Sequence, residues 1–254
     1  MGRGCGRQAG EGTADERCSF GHMRNIILSV ADLHFKQPHY AWLAAQARTG
    51  KYDAIVVAGD LLNTFAGVGT GLPQQAAWVL DWLEKFPADR TPLFCVTGNH
   101  DEDDSDPSLA EGLWLQRARR PGVHVDGDVV RHRGLTFACK PWGGPLELSS
   151  LAGPVVLVAH GPPEGTSVGT ENGWDVGDFE VREMAESLPS PATSLVLSGH
   201  AHRPDAVLDY VGQVACFNGG CELSLPVPRH LVLDTAARKA RVFAGSKPEV
   251  VMSY

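Results

Sequence analysis

The chain has no long hydrophobic run. None of its apolar stretches approaches the roughly 18–20 residues that cross a bilayer, which argues against a helical membrane protein. It has no surplus of basic residues either: 22 Lys and Arg stand against 30 Asp and Glu, for a formal net charge of −8. That balance disfavours a general polyanion-binding surface and makes a nucleic-acid partner unexpected. A cysteine framework is also missing. Of six cysteines, Cys5 and Cys18 fall in the opening segment, Cys95 and Cys139 sit inside apolar runs where a small buried thiol is ordinary, and Cys216 and Cys221 flank Asn218-Gly219-Gly220. The last two could pair only if that turn allowed it. Neither a disulfide scaffold nor a zinc cluster follows from such spacings, and reduced thiols fit an intracellular, cytoplasmic setting. Residues 1–22 are Gly-rich and charged, without the apolar stretch of a signal peptide. They read as a disordered leader, with Met23 able to serve as the start and one domain expected over 23–254. There is no internal repeat.

What the chain does have is five short apolar runs, each ending in metal-binding side chains. Ile26–Val30 leads to Asp32 and His34, and Ala54–Ala58 to Gly59, Asp60 and Asn63. Leu93–Val96 leads to Gly98, Asn99, His100 and Asp101, Val155–Ala159 to His160, and Leu195–Ser198 to Gly199, His200 and His202. Runs of aliphatic and β-branched residues this short read as buried strands. In open α/β sheets, ligands collect at the carboxyl ends of the strands. Five such endings in one chain point to a metal centre. A mixed carboxylate and imidazole donor set suits manganese, iron, zinc or cobalt better than magnesium or calcium.

Between the runs lie amphipathic segments. Tyr40, Leu43, Ala44 and Ala47 recur at helical spacing within Pro38–Arg48, as do Val79, Trp82, Leu83 and Phe86 after the second run. Asp106-Pro107 reads as an N-cap with proline at the first helical position, starting a helix toward Arg119. This rhythm predicts parallel strands with crossover helices. The second half is richer in strands, near 129–132, 135–140, 155–160, 195–199, 206–211, 214–217, 231–234 and 240–244, with one helix from Asp178 to Leu188. Two segments without regular pattern, Thr64–Gln74 and Gly161–Gly177, follow metal-bearing strands and should edge the site.

In order, the blocks are D-x-H, G-D-x-x-[DN], G-N-H-[DE], a strand-end His and G-H-x-H, spanning Asp32 to His202. This series resembles the pattern of the calcineurin-like metallophosphoesterase superfamily. The resemblance implies an α/β fold, a four-layer αββα sandwich of two mixed β-sheets flanked by helices, with the metals at one end. It implies two divalent metal ions: Asp32, His34, Asp60 and His202 on the first, and Asp60, Asn99, His160 and His200 on the second, Asp60 bridging. The activity implied is hydrolysis of a small phosphate ester, diester or monoester, by a hydroxide that bridges the metals. His100, left without a metal, would bind the transferring phosphoryl group together with Asn99, and would protonate the leaving oxygen or stabilise that group.

The pattern varies at Asn63, where purple acid phosphatases carry a tyrosinate and other phosphatases an aspartate that pairs with the catalytic histidine. Asn63 is expected to orient His100 by a neutral hydrogen bond. Asp101 has two open roles, hydrogen-bonding a loop or touching the chemistry. His22, His39, His124, His132 and His230 match no motif, and Arg117, Arg119 and Arg120 read as a solvated helix end. Trp142, Asn172 and Trp174 are candidate substrate contacts. Two other functions compete: a nuclease of the same superfamily, which would want a basic track, and a scaffold that has lost catalysis, which would typically lack His100 or several ligands.

Overall fold

The structure, a computed structural model, describes Met1 and residues 24–65, 69–148 and 151–254. The expected leader lies outside the described residues except for Met1. In chain order the elements are β1 (Ile26–Val30), α1 (Gln37–Arg48), β2 (Ala54–Ala58), α2 (Leu72–Lys85), β3 (Leu93–Val96), β4 (Val123–His124), β5 (Val129–His132) and β6 (Leu135–Cys139). There follow β7 (Val155–Val158), β8 (Thr170–Glu171), β9 (Trp174–Asp175), α3 (Phe179–Ser187), β10 (Leu195–Ser198), β11 (Leu208–Val211), β12 (Val214–Asn218), β13 (His230–Asp234), β14 (Lys239–Ala244) and β15 (Lys247–Ser253).

Two mixed sheets stack face to face. One runs β15-β14-β13-β1-β2-β3-β4, the other β11-β12-β10-β7-β6-β5. In the first, β1 through β4 are parallel and β13 to β15 add antiparallel strands. In the second, β6, β7, β10 and β12 form the parallel centre. The central parallel strands read almost wholly apolar because both faces of each are covered. Along β2, Ile55 and Val57 face one core while Ala54, Val56 and Ala58 face the other. The first core lies under α1 and α2, with Tyr40, Leu43, Val79 and Leu83 fully buried against it. The second fills the space between the sheets, where Phe94 and Phe137 stack at 4.0 Å. A third lies between the second sheet and α3. Side chains this large contribute about 1.5–3 kcal/mol each when buried. The four layers are therefore helix, sheet, sheet and helix, as the resemblance implied.

Some expectations need correction. The helix expected from Asp106 to Arg119 is a 3-10 segment, Ala110–Ala118, broken where Glu111 and Gly112 take φ of 55° and 63°. Trp114 Nε1–H donates to Asp101 O (2.6 Å), and a Cβ on Gly112 would lie 3.0 Å from Thr97, so tertiary packing overrides helical geometry here. The segment Gly161–Gly177 is not patternless: β8 and β9 pair within it as a hairpin. In the segment Thr64–Gln74, α2 already begins at Leu72, and residues 66–68 lie outside the described residues. The edge strand β15, which no expectation covered, keeps its side chains mostly exposed. Cys216 and Cys221 are free. No helix among the described residues is long and apolar enough to cross a membrane.

Candidate metal centre

The carboxyl ends of the parallel strands in both sheets meet at one end of the sandwich. β1 delivers Asp32 and His34, β2 delivers Asp60, and β3 delivers Asn99, His100 and Asp101. From the second sheet, β7 brings His160 and β10 brings His200 and His202. The chain turns abruptly there. Asp32, His34, Asp60 and His200 hold left-handed backbone, with φ of 55°, 42°, 52° and 67°, a conformation costing about 1–2 kcal/mol for a residue with a Cβ. Hydrogen bonds between the first two loops hold it: Asp32 N–H donates to Gly59 O (3.1 Å), His34 N–H to Asp60 O (2.9 Å) and Phe35 N–H to Leu61 O (2.8 Å). Glycine is required at two closing points. A Cβ on Gly59 would sit 2.4 Å from His160 Nδ1, and one on Gly98 would sit 2.3 Å from Asp60 Oδ1.

Seven side chains gather in two groups. In the first, Asp32, His34, Asp60 and His202 offer donor atoms that all lie within 4.8 Å of one another. His34 Nε2 faces His202 Nε2 at 3.0 Å, His34 Nε2 lies 3.7 Å from Asp60 Oδ2, and His202 Nε2 lies 3.6 Å from Asp32 Oδ1. In the second, Asn99 Oδ1 lies 3.0 Å from His160 Nε2 and 2.9 Å from His200 Nδ1, and the two imidazole nitrogens are 3.3 Å apart. Asp60 Oδ1 joins this group, 3.3 Å from His160 Nε2. Asp60 thus turns one oxygen to each group. Donors about 2.0–2.2 Å from a cation sit roughly 3.0–3.5 Å apart at adjacent corners of its shell, and most of these gaps match. Asp32 Oδ2 is buried without a hydrogen-bond partner, an unmet acceptor that a cation would satisfy.

Protonation in the centre is set by burial and by neighbouring charge. Burial lowers His34 and His200 to about 4, which keeps both imidazoles neutral as metal binding requires. Burial raises Asp32 to about 6, with Asp60 adding to the rise and His160 opposing it. For Asp60 burial also pushes upward, but the charge and hydrogen bond of His160 outweigh it and hold the carboxyl below its ordinary value. His160 is the reverse case: burial opposes its charge, yet Asp60 and Asp32 raise it to about 9. Its Nδ1–H donates to Ala58 O (2.9 Å), which leaves Nε2 aimed at the second group.

Asp101 stays out of both groups. Its carboxylate accepts from Leu61 N–H (3.1 Å), Leu62 N–H (2.7 Å) and Gly98 N–H (2.8 Å), tying the β2 and β3 loops together. Burial and the Asp60 charge push it up to about 8, against the pull of those donors. Of its two open roles, the geometry places it in the loop.

His100 also lies outside both groups, with Nε2 3.8 Å from Asp60 Oδ2. The bond expected from Asn63 is absent: Asn63 Oδ1 accepts from Phe65 N–H (2.8 Å), and His100 Nδ1 hydrogen-bonds Thr64 Oγ1 instead. A partner two residues away wins because the turn brings it there without further ordering of chain.

Several neighbours carry no motif and were missed. The Phe65 ring packs on His34 and His100 at 4.9 and 4.8 Å, and Glu171 Oε2 accepts from His202 N–H (3.0 Å). Trp142, one of the three candidate contacts, does reach the centre, with its ring 5.4 Å from both His160 and His200. Asn172 lies in the turn of the β8–β9 hairpin, and Trp174, on β9, is exposed. His39, His132 and His230 bond backbone carbonyls, and His124 stacks on Phe94. Of the expected solvated helix end, Arg119 pairs with Asp128 and Arg120 caps the Leu83 and Phe86 carbonyls, so these two are tied down locally.

Comparison with known proteins agrees with this architecture. A protein of Thermus thermophilus superposes with a TM-score of 0.60 at 18% identity, covering 87% of this chain and 99% of that one. A dimetal phosphatase from Danio rerio gives 0.55 at 10% identity, covering 91% and 99%. GAP50, the anchor in the inner membrane complex of Plasmodium, gives 0.51 at 12% identity, covering 91% and 88%. At these identities the likeness establishes the fold. No curated protein sequence matches the chain significantly. The family model for the calcineurin-like phosphoesterases, however, matches residues 26–204, a stretch that holds every donor of both groups, and the chain belongs to that family.

Proposed function

We propose that the protein is a dinuclear metal-dependent phosphoesterase acting on a phosphodiester or phosphomonoester of a small molecule. What supports this most is the division of seven donors into two groups that share Asp60, with His100 beside them and in neither. Asp32, His34 and His202 would hold one cation, Asn99, His160 and His200 the other, and Asp60 both. Two cations of manganese, iron, zinc or cobalt would there lower the proton affinity of water and neutralise charge on the phosphoryl oxygens. His100 and Asn99 would meet the phosphoryl group. Phe65 and Trp142 pack on histidines of the centre and would limit the access of water to the reacting group. A formal charge of −8 weighs against a nuclease, and the presence of a donor at every motif position weighs against a scaffold.

The test is metal analysis after chelation and reloading, with hydrolysis of mono- and diester substrates followed in parallel. Two equivalents of cation and activity that vanishes in chelator are expected. A chain holding one ion or none, yet fully active in chelator, would sink the proposal.

A further inference from the structure

β1 ends at the metal centre with Asp32 and His34; its other end borders a cluster of positive charge. A depression of about 280 Å3 opens there, lined by four cations, Arg24, Lys51, Lys239 and Arg241, and by one carboxylate, Asp234. The sheet register explains why they converge. On β14, Ala240 and Val242 point into the core between the sheets, so the alternate residues Lys239 and Arg241 face outward. Lys239 lies opposite Asp234 on β13, and Arg241 opposite Val232. Arg24 comes from the chain just before β1, and Lys51 and Tyr52 from the connection between α1 and β2. Ile26, Tyr52 and Val232 supply an apolar lining between the charges.

In a chain with 22 basic and 30 acidic side chains, this is a local inversion of charge. The one carboxylate is already engaged: Asp234 Oδ2 accepts from Arg24 Nε–H (2.9 Å) and Oδ1 from Ala237 N–H (3.0 Å). Asp53, next to Tyr52 in the chain, pairs with Arg133 instead (3.2 Å). Among the described residues, Lys51, Lys239 and Arg241 make no ion pair. Four cations and one carboxylate leave three positive charges around a single depression. Like charges held together repel, and an anion of matching charge relieves the repulsion. A terminal phosphate carries about −1.5 to −2 at neutral pH, so a diphosphate brings roughly three negative charges and a monophosphate too few. The apolar lining fits an organic group attached to it.

We propose that this depression binds a small organic diphosphate. Its phosphates lie among Lys51, Lys239, Arg241 and Arg24, and its organic group against Tyr52 and Val232. The site is separate from the metal centre and does not depend on the esterase reading.

Calorimetric titration of ADP into the full metal-loaded chain should show saturable binding. AMP should bind more weakly, adenosine not at all, and added salt should weaken ADP. The double variant Lys239→Gln/Arg241→Gln should bind ADP about threefold to thirtyfold more weakly. Both side chains are exposed, so metal content should not change, and without ADP the variant should melt no lower than wild type. Asp60→Asn, altered only at the metal centre, should bind ADP as wild type does. No saturable binding, or unchanged affinity in the double variant, would overturn the proposal. So would loss of binding in Asp60→Asn, which would place the ADP at the metals. A Glu-rich peptide that binds as tightly as ADP would assign the surface to an acidic protein instead. Binding seen only after deletion of residues 1–22 would assign it to that segment.

Discussion

Gly59 and Gly127 form a matched pair for measuring how tightly the centre is built. Both hold left-handed backbone, with φ of 84° and 80°. A Cβ at Gly127 would meet nothing within 4 Å, whereas one at Gly59 would lie 2.4 Å from His160 Nδ1 and 2.6 Å from its Cγ. Alanine at either position costs about 1–2 kcal/mol in backbone conformation. Only Gly59→Ala must also displace His160, a fully buried ring anchored to Ala58 O at 2.9 Å. Overpacking of this kind adds about 1–3 kcal/mol. Gly59→Ala should therefore lose about 2–5 kcal/mol and Gly127→Ala about 1–2 kcal/mol, both tolerable for a domain with a stability of about 5–15 kcal/mol. Urea unfolding in chelator measures the stabilities, and metal analysis measures the centre. Gly127→Ala should bind two cations. Gly59→Ala should lose the second, because His160 serves that group alone. Equal stability and equal metal content in the two variants would refute the argument that the loops close on the missing Cβ.

Two more outcomes follow from the geometry. Asp60→Asn should reduce metal content and turnover more than Asp32→Asn, because Asp60 faces both groups and Asp32 only one; metal analysis of the pair checks the order. Asp126 lies apart from the centre, its carboxylate accepting from Thr97 N–H and Oγ1–H, and burial raises it to about 7. Its folded value exceeds the unfolded one, about 3.9, so ionisation costs stability increasingly as pH rises from about 4 to about 7, up to about 4 kcal/mol in all. Asp126→Asn cannot ionise, and its stability relative to wild type should climb across that window in urea titrations; a difference independent of pH would contradict the account.

Much of the fold was legible because burial on both faces of a strand leaves a local signature. Val155–Val158 and Leu195–Ser198 read as strands for the reason that they are central ones, covered by a helix on one side and the other sheet on the opposite side. The segment after Asp106 misled because its local signals are helical. The backbone there instead follows the pull of Trp114 toward Asp101 O and of Gly112 against Thr97, contacts that no spacing within the segment displays. The β8–β9 hairpin and β15 were missed because their side chains are half-buried or exposed and carry no alternation.

The sequence by itself determined which residues stand at the strand ends, because a D-x-H or G-N-H-D block is a run of neighbours whose order needs no fold to be read. It also determined that Asp32, His34, Asp60, Asn99, His160, His200 and His202 offer the mixed oxygen and nitrogen donors that suit transition-metal cations. Only the tertiary structure decided that donors from two sheets come within about 3 Å of one another, since that depends on how the sheets stack and on where Gly59 and Gly98 let their loops close. It alone decided that Asn63 turns to Phe65 and hands His100 to Thr64. The choice between those partners was made by Gln75, twelve residues further along, whose buried amide pins the Asn63 backbone and so sets the direction of the turn.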